Sequence, residues 1–291
     1  MHIETRIGEN GSPVVGRALV DFIVIGTMRA GTTLLHDILS THPQISMARM
    51  KETDYFIPEK NHGRGSDWYL GQFDVGRPLR GEISPNYAKV MDFPGVARRI
   101  HAECPQVRLV YVLRDPVKRA MSQYEHSWNM GEVSETPAQM AGQHEYLSIM
   151  DTSHYARQLR AYHEVFRPEQ ILVVCFEDFI ARPQQVLDRI LAHIGAGPMA
   201  VPQMQKHNGN SELSRVPRPL LKLSHGPLRP LLTALMGPRL RGMLRSLLAR
   251  GPKRESPRFP VALQQRMRDE LREDIAELRR MTGQEFGQWS L

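Results

Sequence analysis

The run Val20-Asp21-Phe22-Ile23-Val24-Ile25 is β-branched and aromatic, stops at Gly26, and is followed by Gly31 and then by the helically spaced Leu34, Leu35, Ile38 and Leu39. A strand, a glycine loop and a helix in that order leave the first amides of the helix facing the loop, with the positive end of the helix dipole behind them. In that context the G-x-x-x-x-G spacing of Gly26 and Gly31 is the pattern of a loop that cradles a phosphate, and Thr32 and Thr33 add hydroxyl donors. Taken without the flanking strand and helix, the two glycines also fit a tight turn that holds no ligand.

The loop is not a Walker loop. Thr32 stands where a Walker motif carries the Lys that reaches the β- and γ-phosphates, and the loop's cation is Arg29 instead. The next candidate strand, 107–113, runs into Arg114 rather than into an acidic residue. Both features disfavour a magnesium-dependent triphosphatase or kinase, although an atypical P-loop kinase remains an alternative.

Strand and helix patterns alternate downstream. Short strands are expected at 45–48, 79–84, 107–113 and 170–176, and helices at 96–103, after Pro116, at 155–166 and at 183–194. Such alternation implies an α/β chain with a P-loop-like three-layer fold, a central parallel β-sheet flanked by helices. Residues 1–17, broken by Gly8, Gly11, Pro13 and Gly16, read as a flexible leader, and 18–291 as a single domain with its core at 18–197. From Pro198 the chain becomes rich in Pro, Leu and Arg, which predicts a mostly helical C-terminal extension over 198–291. Its last helix, 261–281, carries Leu263, Met267, Leu271, Ile275 and Leu278 on one stripe. The basic segment 239–250 reads first as a solvated helix, with peripheral contact to an anionic membrane surface as its alternative.

The net charge of +7 and a pI near 9.6 favour anionic partners. No basic stripe interleaved with aromatics appears, so nucleic acid is not the expected partner. Cys175 lies in the apolar run 171–176 and reads as a buried thiol, and nothing in the use of two cysteines calls for an oxidising compartment. The apolar runs are strand-sized, and no basic-then-apolar signal pattern opens the chain, so a cytoplasmic protein without a transmembrane segment is expected.

Two further motifs carry a resemblance. Leu113-Arg114-Asp115-Pro116 ends a strand and opens a helix bearing Arg119, Ser122 and Tyr124, which fills every position of the pattern Arg-Asp/Asn-Pro-x-x-Arg-x-x-Ser-x-Tyr. Together with Arg29, Ala30, Gly31, Thr32 and Thr33, this resembles the sulfotransferases that use 3′-phosphoadenosine 5′-phosphosulfate, in particular the heparan sulfate branch and its bacterial counterparts. The resemblance extends over most of 22–195. It implies that residues 29–33 bind the 5′-phosphosulfate, that Arg114 and Ser122 grip the 3′-phosphate, and that no metal is required. Arg29 replaces a Lys common in the family. Because a guanidinium stays protonated, its implied role is electrostatic stabilisation of the leaving phosphate.

In the glycan-acting branch a Lys-Glu pair before an aromatic supplies the general base, and Lys51-Glu52-Thr53-Asp54-Tyr55-Phe56 matches it, which makes Glu52 the implied catalytic base and Lys51 an acceptor-side residue. Asp54 is the rival base, and a simple ion pair of Glu52 with Lys51 is the bland alternative. Glu82-Ile83-Ser84-Pro85-Asn86-Tyr87 resembles the family segment Glu-x-Ser/Thr-Pro-x-Tyr beside the acceptor, which nominates Glu82 and Tyr87 for acceptor contacts, with Ile83 replacing a frequent Lys. A late basic loop closes over the donor in the family, and Lys206 and Asn208 are the loosely aligned candidates here. The implied function is transfer of a sulfuryl group to a hydroxyl or amine of a saccharide, glycolipid or small metabolite. A noncatalytic nucleotide- or glycan-binding protein of the same fold is the alternative.

Overall fold

The computed structural model describes residues 18–203 and 255–291. The leader, the candidates Lys206 and Asn208 and the basic segment 239–250 lie outside the described residues. The strands are β1 (Phe22–Gly26), β2 (Ile45–Met47), β3 (Leu79–Ile83), β4 (Arg108–Leu113) and β5 (Ile171–Cys175). The helices are α1 (Thr32–Ser40), α2 (Gly65–Leu70), α3 (Val96–Glu103), α4 (Pro116–Met130), α5 (Pro137–Met140), α6 (His144–Asp151), α7 (Tyr155–His163), α8 (Phe176–Ala181), α9 (Pro183–Ile194) and α10 (Val261–Thr282). The chain divides into two compact units, one of residues 18–113 and 156–202, the other of 114–155, 203 and 255–291.

In the first unit all five strands form one parallel sheet in the order β2-β3-β1-β4-β5, flanked by helices. Every residue of β1 is buried, as its unbroken apolar run requires of a strand covered on both faces. The chain leaves β1 towards β2, returns to β3 on one side of β1 and later adds β4 on the other. This reversal at β1 is where open α/β sheets bind ligands, beyond the carboxyl ends of the strands. Glycine is required inside β3, because Gly81 pairs with Phe22 and a Cβ there would lie 2.0 Å from the Phe22 ring. Helix α9 opens on Pro183, buries Val186, Leu187, Ile190, Leu191 and Ile194 along one stripe, and ends at Gly195 with φ of 78°.

In the second unit, Asp115 caps α4 by accepting a hydrogen bond from Lys118 N at 2.9 Å, and its other oxygen accepts from Ser290 N at 2.7 Å. That places the C-terminal turn, with Phe286 and Trp289 stacked 4.2 Å apart, on the start of α4. Helix α10 buries Leu263, Met267, Leu271, Ile275 and Leu278, the stripe expected from the sequence, and Asp274 among them lies 3.9 Å from His154 Nδ1. Among the described residues no helix is long and apolar enough to cross a membrane.

Candidate active site

The loop after β1 turns sharply twice. Arg29 has φ of 71° and Gly31 φ of 83°, both in the left-handed region. Gly31 immediately precedes α1, and no side chain caps that helix start, so its first amides face the loop. A Cβ at Gly31 would approach the Phe176 ring to 2.5 Å, so only glycine satisfies both the backbone and the packing. Ala30 is buried and Thr32 nearly so, Arg29 is half-buried, and Thr33 is exposed on the first turn of α1. The loop is anchored to the sheet where Thr27 N donates to Val112 O at 2.7 Å.

The segment after β2 meets this loop. Lys51 Nζ donates to Thr33 Oγ1 at 3.0 Å and lies 3.0 Å from Glu52 Oε1. The ion pair with Lys51 expected as the bland alternative for Glu52 is therefore present, and its cation also touches the first turn of α1. Glu52 keeps 38% of its side chain exposed. Two residues on, Asp54 adopts φ of 47°, so the segment does not stay extended, and its carboxylate is buried against Lys60 Nζ at 2.5 Å and Asn86 Nδ2 at 2.9 Å. Tyr55 donates to Glu103 Oε2 at 3.1 Å, and burial, reinforced by that carboxylate, pushes its phenol up to about 12.

Glu82 and Tyr87, nominated for acceptor contacts, are 0% and 1% exposed and lie beneath this segment. The Thr53 hydroxyl donates to Glu82 Oε2 in a very short bond, and Tyr87 OH accepts from Phe56 N at 3.2 Å. Burial raises the Glu82 carboxyl to about 7, against the opposing effect of the Thr53 hydrogen bond and the nearby Tyr87 and Tyr69 hydroxyls. Thr53, Ser84 and Asn86 also belong to this buried assembly, although each reads in sequence as an ordinary polar loop residue.

In the second unit, Arg114 follows β4 directly, and its carbonyl accepts from Tyr155 OH at 2.7 Å. Arg114, Lys118 and Ser122 line a cavity of about 450 Å³ together with Glu125, Arg258 and Gln264. Lys118 and Arg258 were not anticipated. The first was legible, since Arg114, Lys118 and Ser122 recur every fourth residue and so share one side of the chain leading into α4. Arg258 stands in Pro257-Arg258-Phe259-Pro260, which offers no such periodicity. Arg119 is fully buried, with Nε donating to Ser153 Oγ at 2.7 Å and its other nitrogens bonded to Gln123 and to the Ile149 carbonyl. It holds α4 to the loop before α7.

Residues 19–218 match the sulfotransferase domain family. Heparan sulfate glucosamine 3-O-sulfotransferase 6 of Mus musculus is 27% identical over 98% of this chain and 80% of its own length. Membrane-associated sulfotransferase kil1 of Dictyostelium discoideum is 38% identical, but over 40% of this chain and only 25% of its own length. Among solved structures, a sulfotransferase from Alicyclobacillus acidocaldarius superposes with a TM-score of 0.65 at 24% identity, covering 95% of this chain and all of that one, which supports the fold. Because the domain match spans well over half of the chain, from before β1 to beyond β5, this protein belongs to the sulfotransferase family.

Proposed function

We propose that this enzyme transfers the sulfuryl group of 3′-phosphoadenosine 5′-phosphosulfate to a hydroxyl or amine of a saccharide-type acceptor, with Glu52 as general base. The observation that carries the reading is the Lys51 ammonium, shared between Thr33 on the first turn of α1 and the Glu52 carboxylate. It ties the candidate base to the element assigned to the donor's reacting end.

The residues suit that donor. Arg29, the open start of α1, Thr32 and Thr33 suit the 5′-phosphosulfate, and the cations Arg114, Lys118 and Arg258 with the Ser122 hydroxyl suit the 3′-phosphate. In the reaction Glu52 takes the proton of the acceptor as its oxygen or nitrogen bonds to sulfur. The bond between sulfur and the bridging oxygen breaks, and Arg29 stabilises the charge left on the departing phosphate. As in phosphoryl transfer, positioning and electrostatics supply the catalysis, with Arg29 acting as a fixed charge rather than an acid. A saccharide acceptor is favoured by the heparan sulfate sulfotransferases that match nearly the whole chain, and the net charge of +7 suits an anionic glycan.

The test incubates the protein with sulfur-labelled donor and a panel of glycans, glycolipids, phenols and tyrosyl peptides. Label transfer to a glycan supports the proposal. Glu52→Gln is expected to bind adenosine 3′,5′-bisphosphate normally while turnover falls by at least about a hundredfold. Bisphosphate binding without transfer to any acceptor would instead indicate a noncatalytic binding protein.

A further inference from the structure

Four side chains of one short segment converge on residues 53–56 of another, two on its backbone and two on its side chains. Ser84 Oγ accepts from Asp54 N at 3.2 Å, Asn86 Nδ2 donates to Asp54 Oδ2 at 2.9 Å, and Tyr87 OH accepts from Phe56 N at 3.2 Å. Glu82 completes the set through the Thr53 hydroxyl, which in turn accepts from Tyr55 N at 3.3 Å. Between these bonds sits Asp54 at φ of 47°, a conformation that an aspartate keeps only when its surroundings over-determine it. Lys51 and Glu52 enter this turn directly, so whatever holds the turn sets where both side chains emerge.

The choice of a carboxylic acid at position 82 follows from its surroundings. Its side chain is fully buried, one carboxyl oxygen accepts from the Thr53 hydroxyl and from Ser84 Oγ at 3.4 Å, and the Tyr87 and Tyr69 hydroxyls lie near it. The charged group that acts on it is Asp54, an anion, and Cys104 and Tyr162 are the other titratable groups coupled to it. A neutral carboxyl can accept from Thr53 and donate to a neighbouring oxygen, and burial together with the nearby Asp54 disfavours the ionised form more than the hydroxyls around it favour it.

We propose that Glu82 is a positioning residue for Glu52: its buried carboxyl fixes Thr53, and through Thr53 the turn at Asp54 that delivers Lys51 and Glu52 to the start of α1. The proposal rests on the reading of Glu52 as the base. Three substitutions test it. Thr53→Val removes the hydroxyl at nearly constant volume, Glu82→Leu removes the carboxyl, and Glu82→Gln keeps a neutral hydrogen-bonding end.

In Thr53→Val and Glu82→Leu, amide hydrogen exchange at residues 54–56 is expected to accelerate by about tenfold or more without global unfolding, with kcat falling by about tenfold and bisphosphate affinity held within about threefold. At pH below about 7, Glu82→Gln should stay within about threefold of the parent in amide exchange, kcat and bisphosphate affinity. In the parent, protection of these amides should weaken as pH rises through about 7, after correction for intrinsic exchange, and in Glu82→Gln it should not. Exchange in Thr53→Val within about twofold of the parent would overturn the proposal, and this variant decides the matter if Glu82→Leu does not fold. Glu52→Gln is assayed alongside: normal turnover there defeats the base assignment, while the exchange result still decides the role of Glu82.

Discussion

Lys51 places its ammonium 3.0 Å from the Thr33 hydroxyl, so a side chain from the segment after β2 is fastened to the first turn of α1. The same ammonium holds Glu52, which makes Lys51 the link between the start of α1 and the candidate base. Lys51→Met keeps the apolar stem but removes that link. It is expected to lower kcat by about tenfold to a hundredfold while weakening bisphosphate binding by no more than about threefold, measured by steady-state turnover and by calorimetry. A variant that loses bisphosphate affinity in proportion to kcat would place Lys51 on the donor alone.

Gly31 combines a left-handed backbone with a ring in the space a side chain would need. Its φ is 83°, and an added Cβ would lie 2.5 Å from the Phe176 ring. Gly31→Ala is therefore expected to lower stability by about 1–3 kcal/mol for the backbone alone, with more from the clash, and to weaken bisphosphate binding by disturbing the loop. Phe176→Ala in the same chain should recover part of the stability by relieving the clash and none of the backbone cost. A double variant no more stable than Gly31→Ala would show that Phe176 is not the obstacle.

These two sites also mark how far the sequence could be read. The parallel α/β order was legible because its strands are continuous apolar runs and its helices carry clean stripes, and Gly31 was legible from its place between a strand and a helix. The run 170–176 reads as strand to its end, yet the chain turns helical at Phe176, whose ring packs against Gly31. That contact joins residues far apart in the chain and leaves no local signal. Glu82 and Tyr87 form a motif that the sequence reads as acceptor contacts, and the structure buries both. Polar residues in a short loop look solvent-facing until their partner, Thr53, is known to lie above them. The turn at Asp54 was equally hidden, because an aspartate at positive φ has no compositional mark as glycine does.

Arg119 fills the second signature but is 0% exposed, with its guanidinium spent on Ser153, Gln123 and the Ile149 carbonyl. Arg119→Met leaves those buried groups without their donor and is expected to cost on the order of 3 kcal/mol, read by urea unfolding. Arg114→Met, at a half-buried residue lining the cavity, is expected instead to weaken bisphosphate binding by about tenfold or more with little loss of stability. Equal effects of the two substitutions on stability would contradict this division between a structural and a binding arginine.

Glu82 makes folding depend on pH in a direction opposite to that of an ion-paired carboxylate. Burial raises its carboxyl from 4.5 to about 7. Below pH 4.5 the group is neutral in both the folded and unfolded chains, so its contribution to stability is fully present. Between 4.5 and about 7 the unfolded chain gives up this proton while the folded chain keeps it, and stability falls as pH rises. Above about 7 both forms are ionised and the loss levels off at about 3 kcal/mol relative to acid conditions. Glu82→Gln has no proton to lose at this position, so its stability relative to the parent should improve by about that amount between pH 4.5 and pH 8, as measured by urea unfolding at matched ionic strength. A stability difference that is the same at both pH values would mean that Glu82 titrates in the folded protein as an ordinary exposed carboxylate does.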